Sequence, residues 1–317
     1  MNKTPLSLLL ATTLSLFIFS GCDNNTNDDD NGGSSIIEDT KDAGNAYTSI
    51  RLSPQTGVFS PFIAIELAGT ELSKDLNHVL TSGTTVGSCY TGYLEYYKTG
   101  DSVATLNYHN CKVQNNKILN GKATISPLGG ANVTVRYEGF AIQYLNSYVS
   151  LDTTVTYNGW DTIENTSKHL TVTINGHAFS AYKSMDTTPT DSNTTAPEEI
   201  LNGYAYDYVN MNAPMTVYND SITQYSANGN VNFTSNCSSG NYQITTFKPM
   251  QVTDLMTLNA GYIKISNAEY EFGSSQTSTN DTNESNTTTP TDATVTLTIY
   301  GEKTIIPQSA LIQNCSN

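Results

Sequence analysis

Four histidines, His78, His109, His169 and His177, are the residues most suited to proton-transfer chemistry in this 317-residue chain. An imidazole acts as a general base near neutral pH when a neighbouring group orients it. No nucleophile elbow, zinc-binding helix motif or phosphate-binding loop surrounds any of them in the sequence. We therefore expect ordinary surface or hydrogen-bonded histidines, no catalytic residue and no cofactor. A carboxylate pair for glycoside hydrolysis stays open, because a sequence does not place two carboxylates at a defined distance.

Tyrosine is the most distinctive residue type, with 20 Tyr against 1 Trp. One group lies at residues 90–97, and Tyr204, Tyr206 and Tyr208 would share one face of a strand. A ring that carries a hydroxyl group suits contacts with sugars or proteins, so these three residues are candidate ligand-facing aromatics. The other interpretation, which we favour, is that the rings pair across strands and hold a sheet together.

Cys89 and Cys111 lie at the outer ends of the two strands of a predicted hairpin, which cover residues 88–97 and 102–111. If the turn is centred on Gly100, the two cysteines lie directly opposite each other. Opposed residues in antiparallel strands have Cα atoms about 4.5–5.5 Å apart. That separation lies within the range of disulfide bonds, about 4.4–6.8 Å. The spacing therefore predicts a Cys89–Cys111 disulfide.

This register places the predicted disulfide on the more polar face of the hairpin. Alternation along the two strands puts Glu95, Asn107 and His109 on the same face as the cysteines. A disulfide is more often buried, so either the bridge lies on the wetter face or a β-bulge shifts the register.

The first 22 residues resemble the signal peptide of bacterial lipoproteins. Lys3 precedes an apolar run at 6–19, which is too short to span the hydrocarbon layer of a bilayer. The run ends in Phe19-Ser20-Gly21-Cys22, which is similar to a lipobox. The resemblance implies that residues 1–21 are removed and that Cys22 carries acyl chains, which anchor the protein to a membrane.

The same resemblance bears on where the protein is located. It implies export and anchoring in the cell envelope, with the outer membrane favoured. Asp23 follows the lipidated cysteine and leaves the inner membrane as an alternative, because an Asp at this position favours inner-membrane retention in enteric bacteria. An ordinary signal peptide with an incidental Cys22 is the competing interpretation.

Residues 22–44 have the composition of a flexible tether. The segment holds seven acidic side chains and is rich in Asn, Gly and Ser. Such a segment buries little apolar surface, so we expect it to be disordered, with a β-rich domain following at 45–317. With Cys22 lipidated, Cys237 and Cys315 are left to form a second disulfide. The cysteine and histidine spacing does not fit a metal site.

Two low-complexity stretches, 184–199 and 273–292, interrupt the predicted domain and are expected to be disordered loops. They contain sequences that resemble the acidic N-glycosylation sequon of Campylobacter-like bacteria. The resemblance makes Asn193, Asn283 and Asn286 candidate glycosylation sites. Chance is the alternative, because tracts rich in Asn, Ser, Thr and Asp generate this pattern freely.

Strict alternation of apolar and polar residues predicts an all-β fold. In 293–300 and 132–138, for example, every second residue is apolar or aromatic. One packed and one wet face are typical of antiparallel pairing. Asn-Gly occurs five times, and both residues tolerate the positive φ of hairpin turns. We expect a large antiparallel meander that forms a curved sheet, a sandwich or a partly closed barrel.

One amphipathic helix is predicted at about 61–82. Ser60 suits the N-cap, Pro61 suits the first helical position and Gly83 suits the end. Apolar residues follow at three- and four-residue spacing, so we expect the helix to pack one apolar stripe on the sheet.

The formal net charge of −15 argues against nucleic-acid binding, because that function needs clustered Lys and Arg. We expect a membrane-anchored exported lipoprotein that serves as a non-enzymatic binding or adhesion module, with a carbohydrate or protein ligand. The first alternative is a periplasm-facing accessory lipoprotein that carries lipid or supports an envelope complex. The second alternative is a hydrolase on a β scaffold.

Overall fold

The computed structural model describes residues 34–53, 58–182, 202–236, 238–253, 258–273 and 293–311. In these residues it shows one antiparallel sheet of 14 strands and two α-helices. The predicted all-β class, the antiparallel meander and the helix at about 61–82 are confirmed. The helices are α1 Thr40–Thr48 and α2 Pro61–Ser82, and the strands are β1 Thr91–Thr99, β2 Val103–Lys112, β3 Ile118–Ser126, β4 Asn132–Tyr144, β5 Ser147–Asn158, β6 Ser167–Tyr182, β7 Asn202–Tyr218, β8 Ser221–Tyr225, β9 Asn228–Ser235, β10 Ser239–Val252, β11 Leu258–Ile265, β12 Ala268–Phe272, β13 Thr294–Ile299 and β14 Glu302–Pro307.

The strands follow one another across the sheet almost in chain order. Hydrogen bonds connect β1 through β8 consecutively, then β8 to β10 and onward to β14. Strand β9 departs from this path because it pairs with both β7 and β10. Antiparallel neighbours need only short connections, so a meander of this kind forms from successive hairpins. The path forms one sheet with β1 and β14 at its two ends.

Four of the five Asn-Gly pairs fall within strands: two are the first residues of β7 and β9, and the other two lie in strand interiors rather than at hairpin turns. Asn120–Gly121 falls within β3 and Asn175–Gly176 within β6, and the strand register shifts at both positions. Gly176 has φ +119°, and a Cβ atom there would lie 2.6 Å from the carbonyl oxygen of Asp152. The sequence signal correctly indicated a positive φ at the glycine, but here that φ forms a β-bulge.

Helix α2 begins and ends at the residues that its sequence predicts. Pro61 is the first helical residue, and Ser60 occupies the N-cap with an extended backbone, although its hydroxyl makes no capping hydrogen bond. Gly83 ends the helix in the left-handed conformation, with φ 70°, and its amide donates to the carbonyl of Val79. Proline tolerates the first position because that N–H has no helical partner, and glycine tolerates positive φ because it has no Cβ.

The burial of α2 differs from the single apolar stripe that we expected. Every residue from Pro61 to Ser73 is buried, including Glu66 and Glu71. Side chains from β2, β5, β6 and β7 all contact the helix, so the sheet curves around it. The physical reason is ion pairing: lysines from the sheet side neutralise the two carboxylates, so acidic residues need not face water.

The end of the predicted tether at 22–44 is ordered. Ile37 is 1% exposed, and its amide donates to a side chain in the β11–β12 turn. Asp39 caps α1 by accepting hydrogen bonds from two backbone amides. The expectation of disorder is therefore wrong for residues 34–44, because Ile37 and the buried side of α1 supply apolar surface that packs on the sheet. Residues 22–33 lie outside the described residues.

The first hairpin has the predicted disulfide but a different register. The sulfur atoms of Cys89 and Cys111 are 2.03 Å apart, and their Cα atoms are 5.1 Å apart. In the observed register Thr99 faces Val103, so the pairing is shifted by two residues from a turn centred on Gly100. The disulfide therefore forms between a residue just before β1 and a residue near the end of β2.

A β-bulge explains how the disulfide forms in this register. Asn110 has φ 47°, and the pairing of β2 with β3 shifts between Tyr108 and Cys111. The bulge interrupts the alternation, so Cys111 is fully buried instead of lying on the face that carries Glu95. Of the two arrangements that the sequence left open, the structure has the bulge.

Candidate functional site

An aromatic and polar cluster lies on the outer face of the β1–β2 hairpin. It consists of Tyr93, Glu95 and Tyr97 on β1 with Asn107 and His109 on β2, and we call it the hairpin cluster. Tyr93 lies opposite His109, and Glu95 lies opposite Asn107. Successive side chains of a strand point to opposite faces, so alternate residues of β1 bring these groups to one surface.

The side chains of the hairpin cluster hold one another in place. The rings of Tyr93 and His109 stack with centroids 4.3 Å apart and an interplanar angle of 15°. The side-chain amide of Asn107 donates to Oε2 of Glu95 at 2.9 Å, and Nε2 of His109 lies 3.2 Å from the same oxygen. Tyr93 and Tyr97 are nevertheless each 55% exposed. An exposed and pre-organised cluster loses little entropy when a ligand binds.

The electrostatics of the cluster provide both hydrogen-bond acceptors and donors. The hydrogen bond from Asn107, followed by the one from His109, lowers the pKa of the Glu95 carboxyl. Glu95 is therefore ionised at neutral pH, and its charge raises the pKa of the Tyr97 hydroxyl. A carboxylate and an amide thus lie between the two exposed rings, and the Tyr97 ring carries a protonated phenol.

The outer face continues beyond the cluster as a polar surface. Asn107 lies opposite Lys122 of β3, whose ammonium group is 2.6 Å from Oε2 of Glu138 on β4. The hydroxyls of Thr105 and Thr124 are 3.2 Å apart in the next row. These strands offer hydrogen-bonding groups next to the exposed rings.

The three tyrosines that we named as candidate ligand-facing residues lie in the core instead. Tyr204, Tyr206 and Tyr208 share one face of β7, but they are 4%, 1% and 2% exposed. Phe62 of α2 packs on Tyr208, and Phe233 of β9 packs on Tyr206. The ligand-facing role is wrong because this face of β7 is the one that covers α2. The packing fits the favoured interpretation, in which the rings hold the sheet together.

His109 is the histidine that belongs to the hairpin cluster, and its ring nitrogen contacts Glu95 and Asn107. The sequence did not single it out, since the only signal was its place on one face with those two residues. Each of the other histidines has a hydrogen-bonding neighbour: His78 Nε2 lies 2.9 Å from the Val86 carbonyl, His169 Nδ1 lies 3.1 Å from the Thr216 hydroxyl, and His177 Nδ1 lies 2.8 Å from an Asp207 oxygen.

Helix α2 carries a buried ion pair that the sequence did not reveal. The Lys168 ammonium is 2.6 Å from Oε1 of Glu66, and both side chains are 1% exposed. Lys168 also donates to the Thr70 hydroxyl and to the Ile163 carbonyl. A buried charge needs such partners, because desolvation without them costs several kcal/mol. The pair therefore fixes where β6 meets the helix.

Asp75 lies one turn beyond Glu71 on α2. Among the described residues, its carboxyl group has the most strongly shifted pKa. Burial raises the pKa of Asp75 to about 6, although the hydrogen bond from the Tyr108 hydroxyl lowers it. The two oxygen atoms are 2.8 Å apart. A hydrolase would require such a carboxyl in an accessible pocket. Here the group faces Tyr108 between helix and sheet, so we interpret it as a structural contact.

Several predicted sites lie outside the described residues and stay predictions. They are the lipidation residue Cys22, the second disulfide pair Cys237 and Cys315, the candidate glycosylation residues Asn193, Asn283 and Asn286, the loop stretch 184–199, and the loop stretch 273–292 apart from its first residue.

In the described ranges, no helix combines the length and the apolar character that crossing a membrane requires. The same ranges hold no group of three or more His, Cys, Asp or Glu side chains placed to bind a metal ion. The features that stand out are therefore the hairpin cluster on the outside of the sheet and the charged helix inside it. No protein-family model, curated protein or solved structure matches this chain.

Proposed function

We propose that this protein is an exported lipoprotein that binds a ligand at the bacterial cell envelope, without catalysing a reaction. The similarity of residues 19–22 to a lipobox supports an anchor at Cys22, with the outer membrane favoured. The Cys89–Cys111 disulfide supports export, because disulfides persist in oxidising compartments. The observation that carries the binding role is the hairpin cluster.

Carbohydrate is the ligand class that the chemistry of this cluster favours. A sugar ring has apolar C–H faces and polar hydroxyl edges. The exposed rings of Tyr93 and Tyr97 offer apolar platforms that carry a polar atom. Between them, Glu95 accepts hydrogen bonds and Asn107 both donates and accepts. The net negative charge of the chain does not oppose binding, because a neutral glycan has no charge to repel.

The spacing of the two rings favours an oligosaccharide over a single sugar. Tyr93 and Tyr97 are four residues apart on β1, which corresponds to about 14 Å along a strand. A single sugar ring does not bridge that distance, whereas a linear chain of sugars does. The hairpin lies at the end of the sheet, where one edge of β1 has no strand partner among the described residues and a long ligand can pass.

Glycan binding by the full chain tests this role. We expect saturable binding to an oligosaccharide on a glycan array, and about tenfold weaker binding by the Tyr93→Ala variant, because a stacked ring is lost. Tyr218→Ala is the matched control, since Tyr218 is also 55% exposed but lies on β7. Equal losses in both variants, or binding only to protein ligands, would overturn the carbohydrate assignment.

Anchoring and location need a separate experiment. Cells grown with an alkyne-labelled palmitate should label the wild-type chain and not the Cys22→Ser variant. Protease added to intact cells, with lysed cells as the control, should remove the β domain if it faces outward. Protection in intact cells would place the domain in the periplasm and contradict an adhesion role. Absence of palmitate label in the wild-type chain would contradict the lipoprotein assignment.

A further inference from the structure

The side chain of Asn107 in the hairpin cluster lies between two hydrogen-bonding groups. Its Nδ2 atom is 2.9 Å from Oε2 of Glu95 and 2.8 Å from Nε2 of His109. The lowered pKa of Glu95 keeps this carboxyl ionised at neutral pH, so its oxygens only accept hydrogen bonds. This charge fixes the orientation of the Asn107 amide, because the reverse orientation would place two acceptor oxygens against each other.

The orientation of Asn107 also fixes the tautomer of His109. An amide nitrogen donates hydrogen bonds and does not accept them. Nε2 of His109 must therefore accept the second N–H of Asn107, which places the proton of the neutral imidazole on Nδ1. Nε2 is also 3.2 Å from Oε2 of Glu95, but in this neutral state neither of these two atoms carries a proton. Both N–H groups of Asn107 are thus used inside the cluster.

The groups of Asn107 and Glu95 that remain for a ligand are acceptors. Among the described residues, no donor contacts Oδ1 of Asn107. The Glu95 side chain is 37% exposed, and a carboxylate can accept about four hydrogen bonds. The two residues are directly opposed, so their Cα atoms lie about 4.5–5.5 Å apart. Two acceptors this close suit two neighbouring donors on one ligand.

We infer that the hairpin cluster recognises two neighbouring free hydroxyl groups of a sugar, which donate to Oδ1 of Asn107 and to the Glu95 carboxylate, and that protonation of His109 weakens this binding. The inference rests on the carbohydrate ligand of the proposed function. It adds the groups of the sugar that are recognised, and it makes His109 the residue that positions Asn107.

Protonation of His109 changes the partners of all three side chains. The new Nε2–H donates to Oε2 of Glu95 and faces the N–H of Asn107, so that two donors oppose each other. The amide must then turn, and Oδ1 accepts from His109 instead of from a ligand. The imidazolium also neutralises the charge of Glu95, and hydrogen bonds to an ionised group are the stronger ones. Affinity is therefore highest with neutral His109 and falls as pH is lowered.

Other titratable groups face His109 or lie next to it on the outer surface. They are Tyr93, Glu95 and Tyr97 of β1, Lys112 of β2, Lys122 of β3 and Glu138 of β4. The lowered pKa values of Glu95 and Glu138 and the raised pKa of Tyr97 keep these three groups in one protonation state between pH 5.5 and 8. Histidine is the side-chain type that ordinarily changes charge in this range, so the expected pH dependence belongs to His109.

The arrangement of the cluster can be tested without a ligand. Long-range ¹H–¹⁵N NMR spectra of the full chain labelled with ¹⁵N-histidine report which ring nitrogen carries the proton, and the His109→Gln spectrum assigns the His109 signals. At pH 8 we expect the proton on Nδ1 and none on Nε2. A proton on Nε2 would overturn this inference and leave the carbohydrate proposal standing.

Binding of maltohexaose and cellohexaose at pH 8 and pH 5.5 tests the recognised groups and the effect of the proton. We expect about tenfold weaker binding at pH 5.5, because the charge-assisted acceptor is lost. At pH 8 the fully O-methylated hexasaccharides should bind at least tenfold more weakly than the free ones, because they carry no hydroxyl donors.

Two variants assign the pH dependence. In His109→Gln the new side-chain oxygen accepts from Asn107 and does not titrate, so binding should be the same at both pH values. His177→Gln is the matched control: it removes an exposed histidine 2.8 Å from the Asp207 carboxylate, outside the cluster, and should keep the pH dependence of the wild type.

The outcomes separate this inference from the proposed function. Binding that weakens in acid equally in the wild type and in His109→Gln, or equal binding of free and methylated sugars, would contradict the inference alone. If the wild type binds neither hexasaccharide and no other neutral glycan on an array, the carbohydrate proposal fails and the inference fails with it.

Discussion

The tyrosines inside the sheet and those on its first hairpin use their hydroxyl groups differently. Inside, the Tyr157 hydroxyl donates to the Ile65 carbonyl in α2, and the Tyr270 hydroxyl donates to the Ala43 carbonyl in α1, both at 2.8 Å. On the hairpin, Tyr97 is half exposed, and its hydroxyl interacts with a neighbouring carboxylate on the same strand. The inner tyrosines join separate elements, whereas Tyr93 and Tyr97 on the hairpin each leave about half of the side chain exposed to a ligand.

The same contrast applies to charged residues. Lys168 pairs with Glu66 where both side chains are 1% exposed, whereas Lys122 pairs with Glu138 on the outer face, where the two are 46% and 35% exposed. Both N–O distances are 2.6 Å. The distance alone therefore says little about stability, because desolvation decides how much the loss of one partner costs.

The largest effect is expected at the inner ion pair. Lys168→Met leaves the Glu66 carboxylate buried without its ammonium partner, which costs about 3–5 kcal/mol. Urea unfolding followed by circular dichroism measures the loss. The double variant Glu66→Leu with Lys168→Met should recover most of it, because an apolar pair needs no charge compensation.

The outer pair provides the control for that measurement. Lys122→Met removes one of the two cationic partners of Glu138 at the surface, where water replaces the lost contact and the Arg136 guanidinium remains 3.1 Å from the other carboxylate oxygen. We expect its urea midpoint to match the wild type. If Lys168→Met and Lys122→Met unfold at the same urea concentration, the distinction between inner and outer ion pairs is lost.

A second prediction concerns Asp75. Burial raises the pKa of this carboxyl group from 3.8 to about 6. The folded chain then holds this proton more tightly than the unfolded chain, so folding stability falls as pH rises from about 4 to above 6. The rise in pKa corresponds to about 3 kcal/mol. Asp75→Asn still accepts the Tyr108 hydrogen bond but does not ionise. As pH rises from about 4 to above 6, the free energy of unfolding of the variant should therefore increase by that amount relative to the wild type.

Unfolding free energies at pH 4 and pH 7.5 for both proteins give the comparison. The difference between variant and wild type is the informative quantity, because other titrating groups affect the two proteins alike. Asp101→Asn changes a fully exposed carboxylate and should show no pH-dependent difference. If the unfolding free energies of Asp75→Asn and the wild type differ by the same amount at both pH values, the Asp75 carboxyl is not buried as described.

Local sequence signals predicted those parts of the fold that depend on neighbouring residues. Ser60-Pro61 and Gly83 located both ends of α2, because caps and helix stops act over one turn. Alternation located the strands, because the face of a residue depends only on its parity along the strand. The Cys89–Cys111 disulfide could also be predicted from the sequence, because a hairpin brings residues that are close in the chain together.

The remaining features depend on contacts between distant residues. Which face of β7 is buried depends on where α2 lies, so Tyr204, Tyr206 and Tyr208 could not be assigned to the core from β7 alone. Likewise, nothing in the sequence near Glu66 indicates that Lys168 reaches it. The hairpin cluster could be predicted in part. The sequence placed its polar residues on one face of the hairpin, but predicting the contacts between their side chains required the strand register.

The smallest expected effect separates the two kinds of tyrosine most directly. Tyr157→Phe keeps the buried ring but removes the hydroxyl that bonds both to the Ile65 carbonyl and to the Tyr137 hydroxyl. Two buried polar atoms lose a partner, which costs about 1–2 kcal/mol in urea unfolding. Tyr97→Phe makes the same atomic change on the hairpin, where water can replace the hydroxyl. It should leave the unfolding midpoint unchanged and weaken glycan binding, whereas Tyr157→Phe should lower the midpoint and bind glycan normally. A variant that changed both properties would contradict the separation of anchoring tyrosines from ligand-binding ones.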